Sequence, residues 1–164
     1  MKLWLQRHAD AGKRLVDPTA DRERHLTSLG KKEAQAAARA LAERGERPRV
    51  ILTAPCARTL ETADIMSKAL RCPVSVVDEL QQHMPCMNWV LDFIKDPSVK
   101  RVHIVGHHDN LIPMIAELNG LDVEDVDMLE LCEVRRLDVN RKSGEWTERW
   151  RYSALQKNPG ASLD

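Results

Sequence analysis

Short apolar runs alternate with helix-length amphipathic stretches from Lys2 to Asn119, and this alternation constrains the fold more than anything else in the chain. Lys2–Gln6, Val50–Thr53, Val74–Val77 and Val102–Val105 have strand length and apolar character. Between and after them, Thr27–Arg44, Cys56–Leu70, the stripe Cys86, Met87, Val90, Leu91 and Ile94, and Asn110–Asn119 have helical spacing. Thr27 or Ser28 can cap the first helix, and Gly45 and Gly120 can stop the first and last. Gly30, Ala34, Ala37, Ala38 and Leu41 form one small face, so that helix should lie close to what it covers. Asp10–Arg24 is polar, contains Gly12 and Pro18, and is expected to be a loop. Beyond Asn119 the rhythm changes. Leu131–Val139 and Glu145–Tyr152 flank Asn140–Gly144, a hairpin signal. Repeated strand–helix units give a mainly parallel sheet covered on both faces. The expected fold is therefore α/β, in three α/β/α layers, with a C-terminal antiparallel hairpin. The 164 residues suit one domain, with a core to about 152 and a tail over 153–164.

Composition removes several classes of function. There are 25 basic and 25 acidic residues and a formal net charge of zero, which argues against a general nucleic-acid binder. Aromatics number four Trp, one Tyr and one Phe, too few for base-stacking platforms. No strongly apolar run exceeds three residues, so neither a membrane span nor a signal-peptide core is expected. Cys56, Cys72, Cys86 and Cys132 form no C-x-x-C pair and have no zinc-finger spacing. They are expected to be reduced, buried thiols of a cytoplasmic protein.

In open parallel sheets, ligands bind beyond the carboxyl ends of the strands. There the sequence puts Arg7 and His8, then Thr53 to Arg58, then Asp78, Glu79 and His83, and finally His107, His108 and Asp109. Arginine offers planar, bidentate donors to a phosphate. Histidine can be neutral and nucleophilic near pH 7. Arg58 falls in the first turn of a helix, at the positive end of its dipole. Taken singly, each is an ordinary surface or loop residue. Taken together they describe an anion site. Asp17, Asp21 and Glu23 read as a solvated loop rather than a metal cage, so no metal and no cofactor are expected.

Arg7-His8-Ala9, Pro55-x-x-Arg58-x-x-x-Thr62-Ala63 and Gly106-His107, in that order, resemble the motifs of the histidine phosphatase, or phosphoglycerate mutase-like, superfamily. Asp21, Arg24, Leu26, Thr27 and Gly30 match the D-x-x-R-x-L-T-x-x-G stretch of its short SixA-type phosphohistidine phosphatases. Two departures stand out. Ala9 replaces a glycine, so that position should not need a positive φ, and Ala54 replaces a serine. The long insertion that lids larger members is absent.

The resemblance implies that His8 attacks phosphorus and carries a phosphohistidine that water then hydrolyses. Arg7, Arg58 and His107 would hold the phosphoryl oxygens, with Arg24 supporting the pocket. Larger members carry a carboxylate acid after the third strand, and Glu79 is the nearest counterpart. A lidless chain leaves room for a phosphorylated protein, such as a histidine-containing phosphotransfer domain. A small phosphorylated metabolite is the alternative substrate. A non-catalytic phosphate-binding module is a third reading, disfavoured because both histidines are present.

Overall fold

Six strands form one sheet, and their pairing order decides where the chain's chemistry gathers. The computed structural model describes residues 1–81, 89–90, 92–93, 96–140 and 145–154. At the centre is β1 (Lys2–Arg7), between β4 (Arg101–Gly106) and β5 (Val134–Val139). On the far side of β4 come β2 (Val50–Thr53) and then β3 (Val74–Val76). The first four strands run parallel, β5 runs antiparallel to β1, and β6 (Trp146–Tyr152) completes the hairpin at the edge. This is the mainly parallel sheet with an antiparallel hairpin that the sequence predicts.

Two cores, one on each face, make the layers. Leu3 and Leu5 of β1 pack with Leu111, Met114 and Ile115 of α4 (His108–Asn119). Trp4 points the other way, toward Ala34, Ala37 and Leu41 of α2 (Ser28–Glu43) and Ala63 and Met66 of α3 (Ala57–Leu70). A strand buried on both faces has no polar alternation, which is why Leu3-Trp4-Leu5 is continuously apolar.

The segment expected to be a loop contains a short helix, α1 (Pro18–Arg22). Its start signal was hidden in a polar stretch. Asp17 accepts a hydrogen bond from Thr19 N at 3.0 Å, and proline suits the first helical position. Of the third predicted helix, Val90 is helical and buried; Cys86, Met87, Leu91 and Ile94 lie outside the described residues. So do residues 141–144 of the hairpin turn and 155–164 of the tail. Cys56, Cys72 and Cys132 are free and buried, and Cys86 is outside the described set. Among the described residues no helix is long and apolar enough to cross a membrane.

One contact ties the first helix layer to the end of β1. Thr27 caps α2, its hydroxyl accepting from Gly30 N at 3.0 Å and donating to the Asp10 carboxylate. Thr27 N donates to Asp10 O at 3.0 Å. A Cβ on Gly30 would stand 2.0 Å from that same Asp10 carbonyl oxygen. Backbone cannot yield as a flexible side chain can, so only glycine fits. Gly30→Ala is therefore expected to cost about 3 kcal/mol, a fall of about 6–12 °C in Tm. Gly45→Ala is the reference, because a Cβ there meets nothing within 4 Å and only its φ of +70° is strained. That substitution should cost about 1 kcal/mol. Thermal melts giving equal losses for the two would show that the Asp10 contact is not the reason for Gly30.

Candidate active site

The register of β1 against β4 sets Arg7 opposite Gly106, so the next residues, His8 and His107, leave adjacent strand ends side by side. Their rings lie 5.3 Å apart, edge to face at 67°. His8 N donates to Gly106 O at 3.0 Å, which extends the pairing one residue past the strands. Arg58 comes from the first turn of α3. Thr59 fixes that turn, donating to Ala54 O at 2.7 Å and accepting from Cys56 N at 3.3 Å. Arg7, His8, Arg24, Arg58 and His107 all line one cleft of about 270 Å³.

The tautomer of His8 follows from its neighbour. Its Nδ1 is 2.8 Å from Ala9 O. A carbonyl can only accept, so Nδ1 carries the proton and Nε2 keeps its lone pair. Burial pushes the His8 pKa down to about 4, and Arg58, Arg7 and Arg24 push the same way against the Ala9 hydrogen bond. The ring is neutral at pH 7. Arg58 Nη2 faces His107 Nδ1 at 3.5 Å. Because guanidinium only donates, the proton of a neutral His107 belongs on Nε2. The two imidazoles thus show complementary edges, one lone pair and one N–H.

The arginines are anchored mainly by carbonyls. Arg7 Nη1 donates to Leu129 O at 2.7 Å, and Arg58 Nη1 to Asp21 O at 2.6 Å. Arg24 Nη1 donates to Ala11 O and Gly12 O at 2.9 and 2.8 Å. Burial lowers the pKa of Arg7 and of Arg58, yet both remain cations near neutrality.

Asp21 corrects the sequence reading. It is buried, not part of a solvated loop. Its carboxylate accepts from Leu15 N at 2.9 Å and Arg24 Nε at 3.1 Å, and lies 3.4 Å from Arg58 Nη2. Burial alone would raise its pKa; the Leu15 hydrogen bond and the two arginines reverse this and hold it below the ordinary carboxylate value. The spacing to Arg24, one helical turn, was the available signal. His108 and Asp109, just past the end of β4, also line the cleft, and so does Asp10, which the sequence motifs do not mark. Thr62 holds the end of β1, its hydroxyl accepting from Ala9 N at 3.2 Å and donating to Arg58 O at 2.7 Å.

Ala9 does not have a positive φ, as expected for a non-glycine there. Ala54 is buried in the core that faces α4 and does not line the cleft. Glu79 is exposed on the turn Asp78–Leu80 and also stands outside the cleft lining. The turn buries Leu80 instead and is held by Asn110 Nδ2, which donates to Leu80 O and Gln81 O at 3.2 and 3.1 Å. His83 lies outside the described residues. Among those residues no group of three or more His, Cys, Asp or Glu side chains could hold a metal ion.

Residues 3–88 match the model of the histidine phosphatase superfamily, branch 1. The chain belongs to the histidine phosphatase superfamily. Solved structures of similar fold include the protein histidine phosphatase SixA complexed with tungstate, at TM-score 0.81 and 23% identity, over 96% of this chain and 100% of that one. A protein assigned as the phosphohistidine phosphatase SixA of Agrobacterium tumefaciens matches at TM-score 0.77 and 22% identity, over 93% and 97%. A mycobacterial glucosyl-3-phosphoglycerate phosphatase complexed with VO3 matches at 0.72 and 17%, over 91% and 97%. No curated protein matches in sequence. At these identities the likenesses establish the superfamily's phosphoglycerate mutase-like fold.

The geometry of His8 is open to direct measurement. In a nitrogen-15 NMR titration, His8 should titrate near 4, with Nδ1 protonated and Nε2 bare above that pH. Unfolded, the same imidazole titrates near about 6.5. The unfolded chain therefore takes up the proton first, and His8 removes stability as pH falls from about 6.5 to 4. A midpoint near 6.5 in the folded protein, or a proton on Nε2 at neutral pH, would contradict the arrangement.

Proposed function

We propose that the protein is a phosphohistidine phosphatase that acts on phosphorylated proteins through a covalent intermediate on His8. The observation that carries this reading is the 2.8 Å contact of His8 Nδ1 with Ala9 O, which leaves the Nε2 lone pair facing a cleft rimmed by arginine. In the first step the Nε2 lone pair attacks phosphorus, and the N–P bond of the substrate breaks. The departing imidazole keeps that electron pair and takes up a proton. In the second step water attacks phosphorus, the P–Nε2 bond breaks, and inorganic phosphate leaves with His8 restored.

Arg7, Arg58 and the Nε2–H of His107 are the groups suited to hold the equatorial oxygens, where charge concentrates in the transition state. Each hydrogen bond to a charged group is worth roughly 1.5–3 kcal/mol. Three arginines supply the positive charge that a metal would otherwise bring, so activity without a divalent ion is part of the proposal. Arg24 acts through Ala11, Gly12 and Asp21, holding the loop that follows His8. The named SixA relatives, one of them complexed with the oxyanion tungstate, support the substrate class. A small phosphorylated metabolite is the second reading, supported by the fold shared with a glucosyl-3-phosphoglycerate phosphatase.

Rapid quenching after incubation with a phosphorus-32-labelled phosphohistidine protein should trap an acid-labile, base-stable label on the enzyme, with or without a strong chelator. His8→Ala should lose both label and turnover. Turnover by His8→Ala near the wild-type rate would overturn the covalent step, and loss on chelation with rescue by magnesium or zinc would overturn the metal-free one.

Glu79 tests the leaving group. Imidazole departs as a weak base with a conjugate acid near about 6.5, so it can be protonated before the bond breaks. An alkoxide leaves far less readily and needs an acid in the transition state, worth roughly 10²–10⁴-fold. Glu79 is exposed outside the cleft lining, so Glu79→Gln is expected to leave phosphohistidine hydrolysis within about twofold, and a selective loss on alkyl phosphomonoesters would show that it reaches their leaving group. Equal losses on both would mean that Glu79 supports the phosphate or the fold instead.

A further inference from the structure

Beside the catalytic cleft lies a second, larger hollow of about 490 Å³, lined among others by Arg14, Leu15, Val16, Pro18, Asp21 and Arg22. Arg14 and Asp21 line both spaces, so the two adjoin. The side chains here are unusual for an exposed loop. Val16 is 102% exposed and Leu15 46% exposed, consecutive apolar residues that contribute little to either core. The backbone that presents them is fixed. Leu15 N donates to Asp21, the carboxylate that also meets Arg24 and Arg58.

We infer that the surface formed by Arg14, Leu15, Val16 and Arg22 docks the protein that carries the phosphohistidine. Apolar side chains of that partner cover Leu15 and Val16, and its carboxylates face Arg14 and Arg22. This rests on the proposed phosphohistidine activity and adds the recognition surface to it. Three observations favour a macromolecule over a metabolite. The hollow shares Arg14 and Asp21 with the cleft, so a protein that presents a phosphohistidine to the cleft lies against it. Val16 projects fully into solvent, and a side chain in that position is buried only by a surface broader than itself. Arg14 and Arg22 line the hollow together with Leu15, Val16 and Pro18, the mixture of apolar and charged groups found across an interface core and its polar rim. Met128, 73% exposed, also lines the cleft and gives the partner a second apolar contact.

The test compares two substrates with one leaving group. One is a histidine-containing phosphotransfer domain phosphorylated on its histidine; the other is free phosphohistidine. Wild type should show the higher kcat/KM on the domain. Val16→Asp and Arg22→Glu should each lower kcat/KM on the domain about tenfold or more, chiefly through KM, as expected for losing one buried apolar or charged contact. Both should leave free phosphohistidine turnover within about twofold. If wild type hydrolyses neither substrate, the phosphohistidine reading itself fails. If it hydrolyses both but shows no preference for the domain, or if the variants leave the domain's kcat/KM unchanged, the docking surface fails and the activity stands. Equal losses on both substrates would also overturn docking, because they would mean that the loop acts through Asp21 on the catalytic arginines.

Discussion

The guanidinium groups of Arg7, Arg24 and Arg58 share a cleft of about 270 Å³ with that of Arg14, and the rest of the site is organised around keeping them there. Like charges in a partly desolvated space repel strongly, the more so as water is excluded. Full neutralisation by carboxylates would remove the repulsion and the anion affinity together. The protein instead uses carbonyl dipoles, from Leu129 for Arg7, Asp21 for Arg58, and Ala11 and Gly12 for Arg24. These satisfy N–H donors without cancelling charge. One buried carboxylate, Asp21, is shared between Arg24 and Arg58. A dianionic phosphate thus meets donors held in advance, whose reorganisation cost was met when the chain folded.

The sheet supplies the other half. With β1 and β4 parallel and in contact, two residues that follow strand ends become neighbours although 99 positions separate His8 from His107. An antiparallel pairing would send them to opposite ends. The same logic places β5 on the other side of β1, and the loop entering β5 brings Leu129 to Arg7. The buried pair Arg135–Glu133 braces that loop, with Arg135 Nη2 also donating to Asp127 O at 2.8 Å. The hairpin therefore does more than lengthen the sheet. It fixes the carbonyl that aims Arg7.

What the sequence made legible follows the same division. Residues at strand ends could be read because strand, turn and helix signals are local and the carboxyl edge of a parallel sheet is a known destination. Arg7, His8, Arg58 and His107 converge for that reason. Asp21 was misread because its burial depends on Arg58, 37 residues away, and on a five-residue helix whose cap sits in a polar stretch. Glu79 shows the converse. A position relative to β3 was readable, but side-chain direction was set by Leu80 turning inward and by Asn110 from α4, a contact across 30 residues. Gly30 matched a pattern, but its cause, a carbonyl 2.0 Å from any Cβ, exists only in three dimensions.

Asp21 also joins recognition to chemistry. A loop that must meet a partner usually gains from mobility, and a mobile loop pays its ordering entropy at the moment of binding. Here Leu15 N is bonded to a carboxylate that two arginines already hold, so Leu15 and Val16 are offered on a loop tied to the cleft. The ordering cost is borne largely on folding, and binding energy at the rim remains available for affinity. A partner's fit to the loop then acts on binding, and so on KM, while the grip on the phosphoryl group stays as the fold has set it.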